Sequence, residues 1–316
     1  MKELGGYFEL ELNKGKHYHR GALALNSARN CFKYILQAQQ PSKVYLPAYC
    51  CDSLVEPLIS EGVEYSFYHI DEMFELVELP NLKPTETLLY INYFALKSEY
   101  ITTLHQKYST QLIIDNTQAF FEKPIEGVDT FYSPRKFFGV ADGGYLYTQH
   151  LLDIELEQDQ SAEKFTQLLG RYENSASAFY ADYQSAETSL INQPIKWMSK
   201  LTQGILKSID YEKIALTRQR NFWAMHAMLG QQNKFNNISL KDFVPMVYPY
   251  LTENTDVRGQ LIDNKIYIAK YWMDAIERAN EAERQMIEQV VFLPIDQRVS
   301  FMEVQEVRGL INEYCR

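Results

Sequence analysis

QLIIDNTQAFFEKPIEGVDTFYSPRKFFGVADGGYLYT, residues Gln111–Thr148, decides how the chain is read. QLIID is a short apolar run that ends in an acid. That is the pattern of a buried strand delivering Asp115 at its C-terminal end. VDTFYS, Val128–Ser133, reads as a second strand that delivers Ser133 and then Lys136. Gly143–Gly144 marks a turn, and YLYT a third strand. An acid, a hydroxyl and a lysine emerging at strand ends are the layout of a ligand site in an α/β fold. Taken singly, Asp115 reads as a turn residue and Lys136 as a surface lysine. The ordered set Asp115, Gln118, Ser133, Lys136, Gly143 and Gly144 makes the stretch a site.

Working outward, the chain before this stretch alternates strand and helix. LNSARNCFKYILQAQQ starts a helix capped by Asn26 or Ser27, with Cys31, Ile35 and Ala38 along one face. A helix N-terminus presents unpaired N–H groups and positive dipole charge, so it can hold a phosphate. VYLP is a buried strand. Asp52 or Ser53 opens a helix, with Ser53 and Glu56 spaced as a capping box, and Gly62 ends it. EYSFYHID and TLLYINYF read as strands, and SEYITTLHQKYS as an amphipathic helix. Regular alternation of this kind predicts a mostly parallel central sheet flanked by helices.

After His150 the character turns helical, and a longer helix runs from Asp210 through Leu229. The last third alternates again. FVPMVYPYL, KIYIAKYW and VVFLP read as three short strands with covering helices, and Ser300 with Glu303 as a capping box for the last helix. The expected organisation is an arm over residues 1–20, a large domain over 21–212 and a smaller C-terminal α/β domain over 213–316.

Composition excludes several classes. The 316 residues carry a net charge of −10, so phosphate-rich nucleic acid is not an expected partner, and an anionic ligand needs a local basic pocket. No apolar run is long enough to cross a membrane, and MKELGGYFELEL does not have the pattern of a secretory signal. The cysteines Cys31, Cys50, Cys51 and Cys315 lack zinc-site spacing, and a cytoplasmic, reduced chain is expected. His17 and His19, without a third ligand, read as surface residues.

Asp115-x-x-Gln118, then Ser133-x-x-Lys136, then Gly143–Gly144, resembles the core of fold-type-I aminotransferases that use pyridoxal phosphate. More narrowly it is similar to the DegT/StrS-type sugar aminotransferases. The resemblance covers Val44–Thr148 and extends to Leu25–Leu36. It implies that Lys136 holds the cofactor as a Schiff base and moves protons, and that Asp115 supports the charged pyridine nitrogen. It implies that Gln118 contacts the cofactor's 3′-oxygen or face, and that Ser133 and the helix start at Ser27, Ala28 and Arg29 hold the phosphate. Arg29 departs from the family's small hydroxyl residue there, adding charge to the phosphate site or pointing elsewhere. Tyr49, Cys50 or Cys51 falls where the family places a residue over the cofactor ring, and Tyr49 is the best suited to stack. Asn92–Ala95 falls where the family carries a segment beside the cofactor.

The implied activity is transfer of an amino group from an amino acid, glutamate in most of the family, to a keto sugar linked to a nucleotide. Arg135, beside Lys136, is the first candidate for the substrate diphosphate. A homodimer is implied, because such sites borrow residues across a two-fold interface. A second reading is another fold-type-I enzyme acting on an amino acid, with Arg258 or Arg298 for the donor carboxylate. A third, a non-catalytic protein that kept the fold, is opposed by the intact Asp115 and Lys136.

Overall fold

The computed structural model describes residues 4–235 and 243–314; Cys315 lies outside them. Its centre is a seven-stranded sheet of β1 (Leu23–Leu25), β2 (Lys43–Pro47), β3 (Glu64–Tyr68), β4 (Glu86–Ile91), β5 (Leu112–Asp115), β6 (Asp129–Tyr132) and β7 (Gly144–Tyr147). The strand order is β1-β7-β6-β5-β4-β2-β3. Strands β2 to β6 run parallel, whereas β7 is antiparallel to β6 and β1 to β7. Every residue of β4, β5 and β6 is buried, which explains the apolar runs Leu88–Ile91 of β4 and Leu112–Ile114 of β5: a parallel strand covered on both faces has no polar side. Each large apolar side chain so enclosed contributes about 1.5–3 kcal/mol.

The crossovers are α1 (Ala28–Gln39), α2 (Val55–Glu61) and α3 (Ser98–Tyr108). Ser27 caps α1, its Oγ accepting from the Asn30 amide at 3.0 Å. Gly62 closes α2 at φ 66°, as its position in the sequence suggested. The expected Ser53–Glu56 capping box does not form. A short 3-10 turn over Asp52–Leu54 precedes α2, and Glu56 instead meets Arg29 Nε at 3.0 Å.

Beyond the sheet come α4 (Thr166–Glu173), α5 (Tyr180–Thr188), α6 (Lys200–Lys207) and α7 (Tyr211–Leu229). The C-terminal part adds β8 (Tyr248–Leu251), α8 (Val257–Asp263), α9 (Glu281–Gln289), β9 (Val290–Leu293) and α10 (Phe301–Tyr314). Strands β8 and β9 pair antiparallel. Phe222, Met225 and Leu229 of α7 meet Tyr248, Leu293, Val304, Val307 and Ile311 in a second core. The Ser300–Glu303 box is present, with amide-to-side-chain bonds of 2.7 and 3.3 Å.

KIYIAKYW is not a strand. Trp272 turns left-handed at φ 56°, and its ring packs edge-on against Tyr49 at 4.4 Å, while Tyr271 packs against Phe292 at 4.7 Å. Aromatic burial against the large sheet outweighs the period-two pattern there. Among the described residues no helix is long and apolar enough to cross a membrane.

The two histidines of the arm are not surface residues. His17 is partly buried against the Tyr145 hydroxyl, and His19 is enclosed by Phe120 and Tyr132, with Nε2 at 2.8 Å from the Phe120 carbonyl. Burial drives the His19 pKa from its ordinary 6.5 down to about 4. The unfolded chain therefore takes up a proton near pH 6.5 that the folded one refuses until about 4. The stabilisation is present above 6.5 and is lost as pH falls through 4, by about 3 kcal/mol. Urea unfolding between pH 7 and pH 4 should show wild type losing that much more stability than His19→Phe. Parallel losses would contradict it.

Candidate active site

The carboxyl ends of β4, β5 and β6 stand level, because Ile91 pairs with Asp115 and Asp115 with Phe131. Residues following each strand therefore meet at one edge of the sheet. Asp115 ends β5. The Thr117 amide donates to Asp115 Oδ1 at 2.7 Å. The turn Pro134–Lys136 follows β6, and Lys136 Nζ donates to Thr117 Oγ1 at 2.8 Å. Thr117 thus joins the acid to the lysine.

Asp115 is buried, which raises its pKa; the Lys136 ammonium and bonds from Thr117 oppose the rise. Burial lowers the Lys136 pKa, against the attraction of Asp115. Water reaches Lys136, yet protein surrounds its amine on most sides. Both hold for a side chain on the floor of an open cleft, where desolvation is felt and access is kept. A buried acid and an amine pushed toward neutrality at a sheet's carboxyl edge are the marks of a reactive site.

The N-terminus of α1 forms the adjoining wall. The Gly143 amide donates to the Asn26 carbonyl at 2.8 Å, and Ser27 and Gly143 form a parallel bridge. This explains the paired glycines. Gly143 stands at φ 117°, and a Cβ on Gly144 would lie 2.5 Å from the Ser27 carbonyl carbon and 2.6 Å from the Ala28 nitrogen. On its other side Gly143 abuts Pro134. The helix start, the glycines and the Ser133–Lys136 turn are therefore contiguous. The Ser133 side chain does not cap the turn that follows it. Of the first amides of α1, that of Asn30 is taken by Ser27 Oγ and that of Ala28 lies against the glycines. That of Arg29 has no acceptor within the helix.

The structure decides between the two readings of the Arg29 side chain, corrects the stacking expected of Tyr49 and narrows what Gln118 has left to offer. The Arg29 side chain points away from a phosphate: Nη1 donates to the Leu190 carbonyl at 2.7 Å and Nε meets Glu56. Tyr49 is fully buried, stacked with Tyr93 at 5.8 Å and edge-on to Trp272, so its faces are taken by the core. Of the three neighbours Tyr49, Cys50 and Cys51, only Cys51 is exposed, and it lies within electrostatic range of Lys136. Gln118 Oε1 is spent on the Phe94 amide at 3.0 Å, where Phe94 and Ala95 are left-handed at φ 56° and 65°. That bond supports a strained turn and leaves the Gln118 NH2 group for a ligand.

The arginines are mostly engaged. Arg135 pairs with Glu187, Arg298 is held by Asp296 through two bonds of 2.8 Å, and Arg258 donates to the Ile268 carbonyl. Arg218 is buried, and its guanidinium lies 4.6 Å from the centre of the Phe137 ring.

Sequence reasoning missed Thr117, whose one signal was its place between Asp115 and Gln118. It also missed Gln297 and Arg278, which have no sequence signal. Gln297 donates to the Phe137 carbonyl at 2.7 Å and accepts from Arg218 Nε at 3.1 Å. Arg278 donates to the Ala48 and Cys50 carbonyls at 2.9 and 2.6 Å and to Asp52 at 2.6 Å. The C-terminal part thereby grips both loops of the site, the one bearing Cys51 and the one bearing Lys136. The recess lined by Glu72, Phe74, Lys97, Phe235 and Pro249 is formed by other residues. At about 30 Å³ it has room for about one water.

This sheet, with its antiparallel β7 and the lysine turn after β6, is the fold of the fold-type-I pyridoxal-phosphate aminotransferases. Solved structures of the DegT/DnrJ/EryC1/StrS type share it along nearly the whole chain. A DegT DnrJ EryC1 StrS aminotransferase from Brucella abortus aligns with TM-score 0.63 and 14% identity, over 93% of this chain and 86% of its own. NtdA from Bacillus subtilis, crystallised with bound PMP, aligns with TM-score 0.65 and 15% identity, over 93% and 73%. The sugar aminotransferase CalS13 from Micromonospora echinospora aligns with TM-score 0.61 and 9% identity, over 92% and 87%. No protein-family model and no curated protein sequence matches the chain.

Proposed function

We propose that this chain is a pyridoxal-phosphate-dependent aminotransferase that moves an amino group from an amino acid, glutamate first among candidates, to a nucleotide-linked keto sugar. One observation carries the reading: the Lys136 amine rests on Thr117 beside buried Asp115, at the carboxyl edge of a parallel sheet and next to a helix N-terminus. The residues fit the cofactor end by end. Asp115 offers a carboxylate to a protonated ring nitrogen, which would offset the cost of burying that acid. Lys136 offers an accessible amine to the aldehyde carbon. Ser133, Ser27 and the Arg29 amide offer donors to the phosphate, and Gln118 would have its NH2 group to offer the ring. Bound there, the cofactor supplies an electron sink. Lys136 moves the proton at the donor carbon, and the walls braced by Arg278 and Gln297 keep it aligned.

The sugar acceptor is supported by the shared fold with enzymes described as sugar aminotransferases. The reading is tested by adding pyridoxal phosphate and then glutamate to the purified protein and following its visible absorption. A cofactor band that glutamate bleaches, with 2-oxoglutarate released, supports it. A band that glutamate leaves unchanged points to another donor or another reaction, and no band refutes it.

In this reading two copies associate. Leu4, Tyr7, Phe8 and Leu10 of the arm are exposed, an apolar run that a second copy would cover. Light scattering should return the mass of a dimer; a monomer with full cofactor occupancy would contradict the association.

A further inference from the structure

Thr117 sits between the two groups on which the proposed chemistry turns. Its side chain is buried. It is fixed from one side, because its own amide is bound to Asp115 Oδ1 at 2.7 Å, and the Lys136 amine comes to its hydroxyl at 2.8 Å. A threonine hydroxyl has one proton to give and lone pairs to receive. Here it receives from Nζ while the amide of the same residue gives to the carboxylate, so Thr117 links the lysine to the acid.

We propose that Thr117 is a positioning residue for the lysine: its hydroxyl is the place Lys136 Nζ occupies whenever the amine is free, held inside the cleft beside Asp115. The proposal rests on the reading of Lys136 as the reactive amine, and it assigns Thr117 to the part of the cycle in which that amine has been displaced. A four-carbon stem left without an acceptor would sample the open cleft. Anchoring Nζ keeps it where it next has to act. The groups facing Nζ are Asp115 from β5, Cys51 from the loop after β2, Arg135 from its own turn and Glu187 from α5. Asp115 and Glu187 favour the charged amine and Arg135 disfavours it; Thr117 is the neutral group bonded directly to Nζ.

The test uses the full chain stripped of cofactor. Acylation of Lys136 is followed across pH by peptide mass spectrometry, with exposed Lys123 as the internal reference. Thr117→Val keeps the shape and removes the hydroxyl; Thr117→Ser keeps the hydroxyl. Loss of an acceptor from the ammonium should move the half-modification pH of Lys136 down by about one unit in Thr117→Val. Thr117→Ser should follow wild type, and Lys123 should be unmoved in both. A Thr117→Val profile that overlays wild type overturns the proposal. So does a Thr117→Ser profile displaced as far as that of Thr117→Val, since the methyl packing would then be the cause. Unfolding temperatures of both variants separate either result from a folding defect. Failure of the aminotransferase reading would appear instead in the absorption experiment, which this measurement does not use.

Discussion

Lys136→Ala is expected to abolish amine transfer, with a fall in rate of at least about 10³-fold, while the fold is kept. Lys136 is the amine bonded to Thr117 beside Asp115, and Arg135 next to it is committed to Glu187. Because water reaches Lys136, its removal opens no sealed cavity and strands no buried cation. The consequence falls on Asp115. Without the ammonium that opposes its burial, the acid is left more readily protonated, and so less able to offset a positive charge placed against it. The absorption band of added pyridoxal phosphate and the release of 2-oxoglutarate from glutamate are measured side by side for wild type and variant. The variant should lack both. Transfer within tenfold of wild type would remove Lys136 from the chemistry.

Asp115→Asn should lower the rate by about 10²–10³-fold without lowering stability. The amide can still accept from the Thr117 N–H through its oxygen, so the bend after β5 is kept. What disappears is the negative charge. Burying a neutral amide costs less than burying a carboxylate, so thermal unfolding should be unchanged or occur at higher temperature. The Lys136 pKa should fall further, since the Asp115 charge is the largest influence holding it up. Activity and unfolding temperature together decide the matter: a joint fall would make Asp115 a structural acid, and unchanged activity would end its assigned role.

The readable part of the site was the part written in consecutive residues. Asp115, Ser133 and Lys136 could be placed because each follows a strand whose apolar run is visible, and strand ends in a parallel sheet face one crevice. The role of Thr117 was hidden, because a threonine two residues after an acid is ordinary until a lysine from the next strand is seen to reach it. Tyr49 misled because an aromatic near a cofactor position suits stacking, whereas Phe74, Tyr93 and Trp272 had already enclosed it. His19 misled because its neighbours in sequence are polar, whereas its neighbours in space are Phe120 and Tyr132.

By itself the sequence determined the alternation of strands and helices, the parallel centre of the sheet, a capped helix start at Asn26 or Ser27 and the order of the acid, hydroxyl, lysine and glycines. These follow from local periodicity and turn chemistry, which act over a few residues. Only the tertiary structure decided that Arg29 serves Glu56 and Leu190, that Gln118 is half-spent on Phe94, and that KIYIAKYW gives up its strand for an aromatic cluster. It also decided that Gln297 and Arg278 hold the two walls of the cleft from the far end of the chain. Long polar side chains choose partners by what burial leaves unpaired, and which groups those are is settled only when distant segments pack.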